Sequence, residues 1–157
     1  MATSHSACVI CAVNDGSVDA PHGLLYADAL WVVRHMPPPY GIAGWLTLQT
    51  RRHCPEPAAF TDAEAASFGP ALRHFEAILR EVTAAERIYT AALGESVRHF
   101  HCHMVPRRAG VPAGAVGWGL FDLERQAAEG LIAVDPHEVA RIADAFRARV
   151  SGAPRPT

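Results

Sequence analysis

The chain has 157 residues, half of them hydrophobic, and a formal net charge of −2. This is enough to bury the core of one domain, expected over residues 1–150 with a frayed tail at 151–157. The slight acidity argues against bulk electrostatic binding to nucleic acid, and no apolar run approaches membrane-spanning length.

The N-terminal stretch lacks a basic segment followed by an apolar one, so a cytoplasmic location is expected. All fourteen basic residues are Arg, so neither Schiff-base nor P-loop lysine chemistry is available. Four cysteines do not make a disulfide framework in a domain of this size.

The first of the predicted elements is a pair, Cys8-Val9-Ile10-Cys11. Such a pair chelates zinc, runs redox chemistry or does neither. Redox pairs normally open a helix after a strand, and zinc needs two further ligands. Short strands are expected around Tyr26-Ala27-Asp28 and over Leu30–Val33, the second stopped by Met36-Pro37-Pro38-Pro39. Residues 44–50 read as another strand, with Leu46 and Leu48 on one face. Arg51-Arg52-His53 follows it, and the two arginines read as a solvated basic turn able to attract phosphate.

Thr61 and Glu64 form a capping-box signature. Phe68, Leu72, Phe75, Leu79 and Val82 then recur every three or four residues, which marks a long amphipathic helix. Residues 87–93 read as a strand that ends at Gly94. A Gly- and Pro-rich loop is expected over 109–119. A second main helix starts at Asp135-Pro136, with Val139, Ile142, Phe146 and Val150 as its buried stripe. These elements predict an α+β fold built on an antiparallel sheet with two main helices.

The segment richest in chemistry is His99-Phe100-His101-Cys102-His103-Met104. Side chains alternate across a strand, so three imidazoles would share one face and Phe100, Cys102 and Met104 the other. Histidine titrates nearest neutrality. Such a row is a nucleophile with proton-handling neighbours or a metal centre, since same-face neighbours lie roughly 7 Å apart and two can bend onto one ion.

The stretch Leu93-Gly94-Glu95-Ser96-Val97-Arg98-His99-Phe100-His101-Cys102-His103-Met104-Val105-Pro106-Arg107 resembles the signature of the histidine-triad (HIT) family. The likeness extends upstream in order through Cys8 and Cys11, the Gly44 strand leading to Arg52-His53, and the capped helix, covering about residues 8–108. It implies a HIT-like antiparallel sheet of about five strands with two main helices, often dimeric through the long helix and sheet edge.

The resemblance also implies a nucleotidyl hydrolase or transferase. His101 would attack the α-phosphorus of a nucleotide conjugate, such as a dinucleoside polyphosphate or nucleoside phosphoramidate, to give a covalent intermediate. His99 and the backbone would orient His101, and His103 would meet phosphate oxygens or the leaving group. Backbone amides near Ser96 would steady the phosphoryl charge. In zinc-containing relatives the ligands correspond to Cys8, Cys11, His53 and His99, a structural Zn2+ that locks His99.

Three positions depart from the pattern. Glu95 stands where the family usually has Gln, and a carboxylate facing phosphate calls for a partner such as Arg98 or Arg107. Arg34 stands where an acidic ribose ligand is usual. Ala91 and Ala92 replace an Asn-containing loop. Glu95, Ser96 and Arg34 are therefore the candidate nucleotide contacts. The competing readings are a non-catalytic nucleotide or phosphate binder and a hydrolase with its metal on the triad.

Overall fold

A computed structural model describes residues 8–152. Five strands form one antiparallel sheet in the order β1-β2-β3-β5-β4: β1 (Tyr26–Ala27), β2 (Trp31–His35), β3 (Leu46–Thr50), β4 (Arg87–Ala91) and β5 (His101–Arg107). Four helices accompany it: α1 (Val9–Asn14), α2 (Asp62–Thr83), α3 (Leu123–Ala128) and α4 (Pro136–Ser151). The α+β architecture, the sheet of five strands and the two long helices match the sequence reading. Of the expected frayed tail, Ser151 instead ends α4, and residues 153–157 lie outside the described residues.

Residues directly opposite in an antiparallel pair share a face. Leu46 pairs with Met104 and Leu48 with Cys102, while Thr47 pairs with His103 and Gln49 with His101. One face is therefore apolar, and α2 and α4 cover it. Trp31, Val33, Leu46, Leu48, Phe100, Cys102 and Met104 meet Ala71, Phe75, Leu79, Ala143 and Phe146 there. The other face carries the histidines.

The capping box expected at Thr61 and Glu64 is present in both directions: Thr61 N–H donates to the Glu64 carboxylate at 2.7 Å, and Glu64 N–H to the Thr61 hydroxyl at 3.3 Å. The helix continues through Pro70, which lies on its exposed side, where water can meet the carbonyl that loses its bond. Asp135 caps α4, with Pro136 in its first turn.

The segment after β5 is more ordered than its Gly and Pro content suggests. It runs as a loop, forms a 3-10 turn at Gly117–Leu120 and then α3. Leu120 and Leu123 are buried against Ile42, Trp45 and Val105, so this segment roofs the part of the histidine face near Val105. Gly41 permits the close fit: a Cβ there would lie 2.7 Å from the Glu124 backbone nitrogen. Gly44, at φ +88°, makes the turn into β3.

Candidate functional site

The histidine segment is not strand throughout. β5 begins at His101, and His99 sits in a bend before it. The expected strand over all three histidines is thus two residues too long at its start. His99 is fully buried, whereas His101 and His103 share the open face of the strand. The apolar alternation is kept, since Phe100, Cys102 and Met104 all enter the core.

His99 has Nε2 2.8 Å from the Thr50 carbonyl. A carbonyl only accepts, so Nε2 carries the proton and Nδ1 is left with its lone pair. That Nδ1 lies 3.5 Å from Cys8 Sγ and 3.4 Å from Cys11 Sγ, and His53 Nδ1 lies 3.4 Å from Cys11 Sγ. All four ligand atoms fall within 4.8 Å of one another. A tetrahedral zinc bound at about 2.3 Å to sulfur and 2.0 Å to nitrogen has ligand–ligand edges of roughly 3.3–3.8 Å. The four residues implied by the resemblance therefore fit that ion in donor type, tautomer and spacing. Burial pushes the Cys11 thiol up to about 11, with Cys8 adding to the shift, and lowers His99 to about 4. A divalent ion would convert the first to thiolate and accept the second as the neutral imidazole it already is.

Three separate segments supply the cluster. Cys8 immediately precedes α1, without a side-chain capping bond, and Cys11 lies in its first turn. The sequence reading did not foresee this helix. His53 follows β3, and His99 precedes β5. Arg52 holds the His53 turn. Its guanidinium donates to both oxygens of buried Glu64, at 2.9 and 2.6 Å, and to the Ala59 carbonyl at 2.7 Å. Burial would raise the Glu64 carboxyl, but Arg52 and the Thr61 donors outweigh it and hold it below the usual range. The expected solvated turn is thus corrected at Arg52, which is locked to a buried carboxylate. Arg51, exposed, donates to the Asp28 carbonyl.

His101 is half-buried and uses the opposite nitrogen. Its Nδ1–H donates to the His99 carbonyl at 2.7 Å, which leaves Nε2 unprotonated in the neutral ring. His101 lines a cleft of about 370 Å³ together with Pro55, Glu56, Gly94 and Arg98. His103 is held by Trp45, the residue just before β3. Trp45 Nε1–H donates to His103 Nδ1 at 3.0 Å. An indole only donates, so His103 presents Nε2–H as a donor. Burial, aided by the neighbouring His101, lowers His103 to about 4, so it is neutral at pH 7. The two rings lie 5.0 Å apart. A free base nitrogen and an N–H donor thus stand side by side. The signal for Trp45 was its alternation with Thr47 on β3, which places it on the histidine face.

Phe121 stacks edge-on to both Trp45 and His103, and exposed Trp118 leans on Phe121. No motif in the C-terminal segment announced this wall. Glu95 and Ser96 are exposed in the loop before His99. Among the described residues Glu95 makes no ion pair, so the expected pairing with Arg98 or Arg107 is not found. Arg34 is on the histidine face, and its Nε–H donates to Gln49 Oε1 at 3.3 Å. His101 and His103 belong to no metal-ligand group among the described residues.

No family model matches the chain, and no curated protein matches it. Solved structures do. A zinc-bound histidine-triad family protein from Mycobacterium smegmatis superposes with a TM-score of 0.68 at 19% identity, covering 94% of this chain and 97% of that one. A hypothetical histidine-triad nucleotide-binding protein from Sulfolobus tokodaii gives 0.69 at 12% identity over 92% and 93%. A histidine-triad protein from Bradyrhizobium japonicum gives 0.63 at 24% identity over 81% and 89%. With an antiparallel sheet, two long helices and the histidine segment leading into an interior strand of that sheet, this chain has the fold of the histidine-triad proteins.

Proposed function

We propose that the chain, a single domain over residues 1–150, belongs to the histidine-triad family and acts as a hydrolase or transferase on the α-phosphate of nucleotide conjugates. The observation that carries this reading is the pair of opposite tautomers at His101 and His103. Nε2 of His101 is a lone-pair nucleophile at the cleft, and Nε2–H of His103 beside it is a fixed donor for a phosphate oxygen or the leaving group. The P–N bond to His101 forms as the bond to the leaving group breaks, and the leaving group departs with that electron pair. Water then cleaves the P–N bond, releases the nucleoside monophosphate and restores the imidazole. The His99 carbonyl keeps the nucleophile in the required tautomer throughout. The nucleotide-binding description of the Sulfolobus tokodaii protein supports a nucleotide ligand.

Cys8, Cys11, His53 and His99 would hold a structural Zn2+ that ties α1 and the His53 turn to the His99 bend. The chemistry supplied is rigidity, with no part in bond making. The described helices include none long and apolar enough to cross a membrane. A homodimer in the cytoplasm remains the expected state, and sedimentation at micromolar concentration tests the dimer.

The decisive experiment is a trap. Wild-type protein is quenched in acid-free denaturant during turnover of adenosine and guanosine 5′-phosphoramidates, and the peptides are mapped by mass. A nucleotidyl adduct on His101 is expected. Phosphate-binding affinity with no adduct from either substrate would favour the non-catalytic reading.

A further inference from the structure

One cation on the histidine face has no counter-charge. Arg34 is only partly exposed, yet every described ion pair uses a different arginine. A half-buried guanidinium without a carboxylate is unfavourable, because it loses water and gains no charge in return. Burial accordingly lowers its pKa.

Its position is held. Arg34 Nε–H donates to Gln49 Oε1, Gln49 Nε2 donates to Asn14 Oδ1 at 2.8 Å, and Asn14 Nδ2 donates to the Thr50 and Arg51 carbonyls. This chain of amides fixes Nε and leaves both terminal nitrogens of the guanidinium without a hydrogen-bond partner among the described residues. Fixed, paired N–H donors of this kind suit bidentate capture of phosphate or carboxylate.

The placement is next to the reacting centre. Arg34 stands opposite Thr47, and Thr47 opposite His103. Two strand spacings, roughly 10 Å, separate the Arg34 and His103 backbones, and an arginine side chain spans much of that. The nearest source of compensation is Cys8 in the ligand cluster, whose thiolate would favour the cation. Two thiolates and two neutral imidazoles cancel a divalent ion, so the charge of Arg34 stays unmatched when zinc is bound.

We propose that Arg34 receives a second anionic group of the substrate, separate from the phosphate that His101 attacks: the substrate class is a nucleotide conjugate carrying a further phosphate on its ribose. This rests on the functional reading above.

The test is calorimetric titration of the zinc-loaded full chain with adenosine and guanosine 5′-monophosphates and with their 3′,5′- and 2′,5′-bisphosphates. One bisphosphate series is expected to bind at least about tenfold tighter than the monophosphate, as a charge-assisted bidentate contact would give. Which series does so identifies the position of the second phosphate. Arg34→Met, close in shape and uncharged, should collapse that ratio to near one. Arg34→Lys should keep part of it, and zinc content and thermal midpoint should be unchanged in both.

Equal binding of mono- and bisphosphates by the wild type would overturn the proposal, as would a preference that survives Arg34→Met. Loss of zinc in Arg34→Met would overturn it too, by making Arg34 a support for the cysteines. The His101 adduct separates the two readings. An adduct in the wild type with no bisphosphate preference removes only this inference, whereas absence of both removes the enzymatic reading as well.

Discussion

The candidate ligand cluster and the open cleft draw on the same six-residue segment, yet they use opposite nitrogens of the same type of side chain. His99 spends Nε2–H on the Thr50 carbonyl and offers Nδ1 to the cysteines. His101 spends Nδ1–H on the His99 carbonyl and offers Nε2 to the cleft. Residue type is shared; the carbonyl within reach decides which nitrogen is left free. The backbone of one histidine sets the tautomer of the next, so the candidate ligand cluster and the proposed nucleophile are joined through a single peptide unit.

The largest test of that division is His101→Gly. Turnover of a nucleoside phosphoramidate should fall by more than about 10^4-fold, as expected when a covalent nucleophile is removed. The thermal midpoint should barely change, because His101 leaves the packing to Phe100, Cys102 and Met104. Wild-type turnover by the metal-replete variant would end the nucleophile assignment.

At the other region, Cys8→Ser should lose zinc and stability together, by an amount on the order of several kcal/mol, because the site joins three segments far apart in sequence. Cys54→Ser and Cys102→Ser should retain the metal, since Cys54 and Cys102 are buried away from the cluster. Elemental analysis with urea unfolding checks both. One zinc per chain surviving in Cys8→Ser/Cys11→Ser would refute the ligand set.

A third buried histidine sharpens the comparison by having no free nitrogen. His35 Nδ1–H donates to the Met36 carbonyl, and its Nε2 accepts Gly44 N–H. Burial lowers it to about 4, from 6.5. Below pH 6.5 the unfolded chain takes up this proton and the folded chain does not, so the stability is complete above 6.5 and is lost as pH falls towards 4. The slope should be worth on the order of 2–3 kcal/mol for this residue. Urea midpoints at pH 7.0 and 5.0 should differ in the wild type and differ less in His35→Gln.

Within the cleft, Trp45→Phe keeps the ring and removes the donor to His103. It should lower kcat about tenfold with little change in KM, and imidazole nitrogen shifts should show His103 populating both tautomers. An unchanged single tautomer would mean that Trp45 is packing alone. The smallest effect is expected at Glu95→Gln. This side chain is exposed, so water and salt screen its repulsion of phosphate, and affinity for a nucleoside monophosphate should rise about two- to threefold at low salt. Identical affinities at two pH values would place Glu95 off the phosphate.

The strands, both long helices and their caps were legible in the sequence because each rests on local periodicity. Leu46 and Leu48 alternate, Phe75 and Leu79 recur at helical spacing, and Thr61 and Asp135 carry capping oxygens. The strict alternation from His99 to Met104 likewise fixed which side chains enter the core, and the resemblance it carries named Cys8, Cys11, His53 and His99. Tertiary structure alone decided the rest. The His99 bend, the Trp45 bond to His103, the lock of Arg52 on Glu64 and the roof built by residues 109–128 all depend on partners dozens of residues away. A hydrogen bond to a particular carbonyl leaves no periodic trace in a sequence, and that bond is what separates the proposed metal ligand from the proposed nucleophile here.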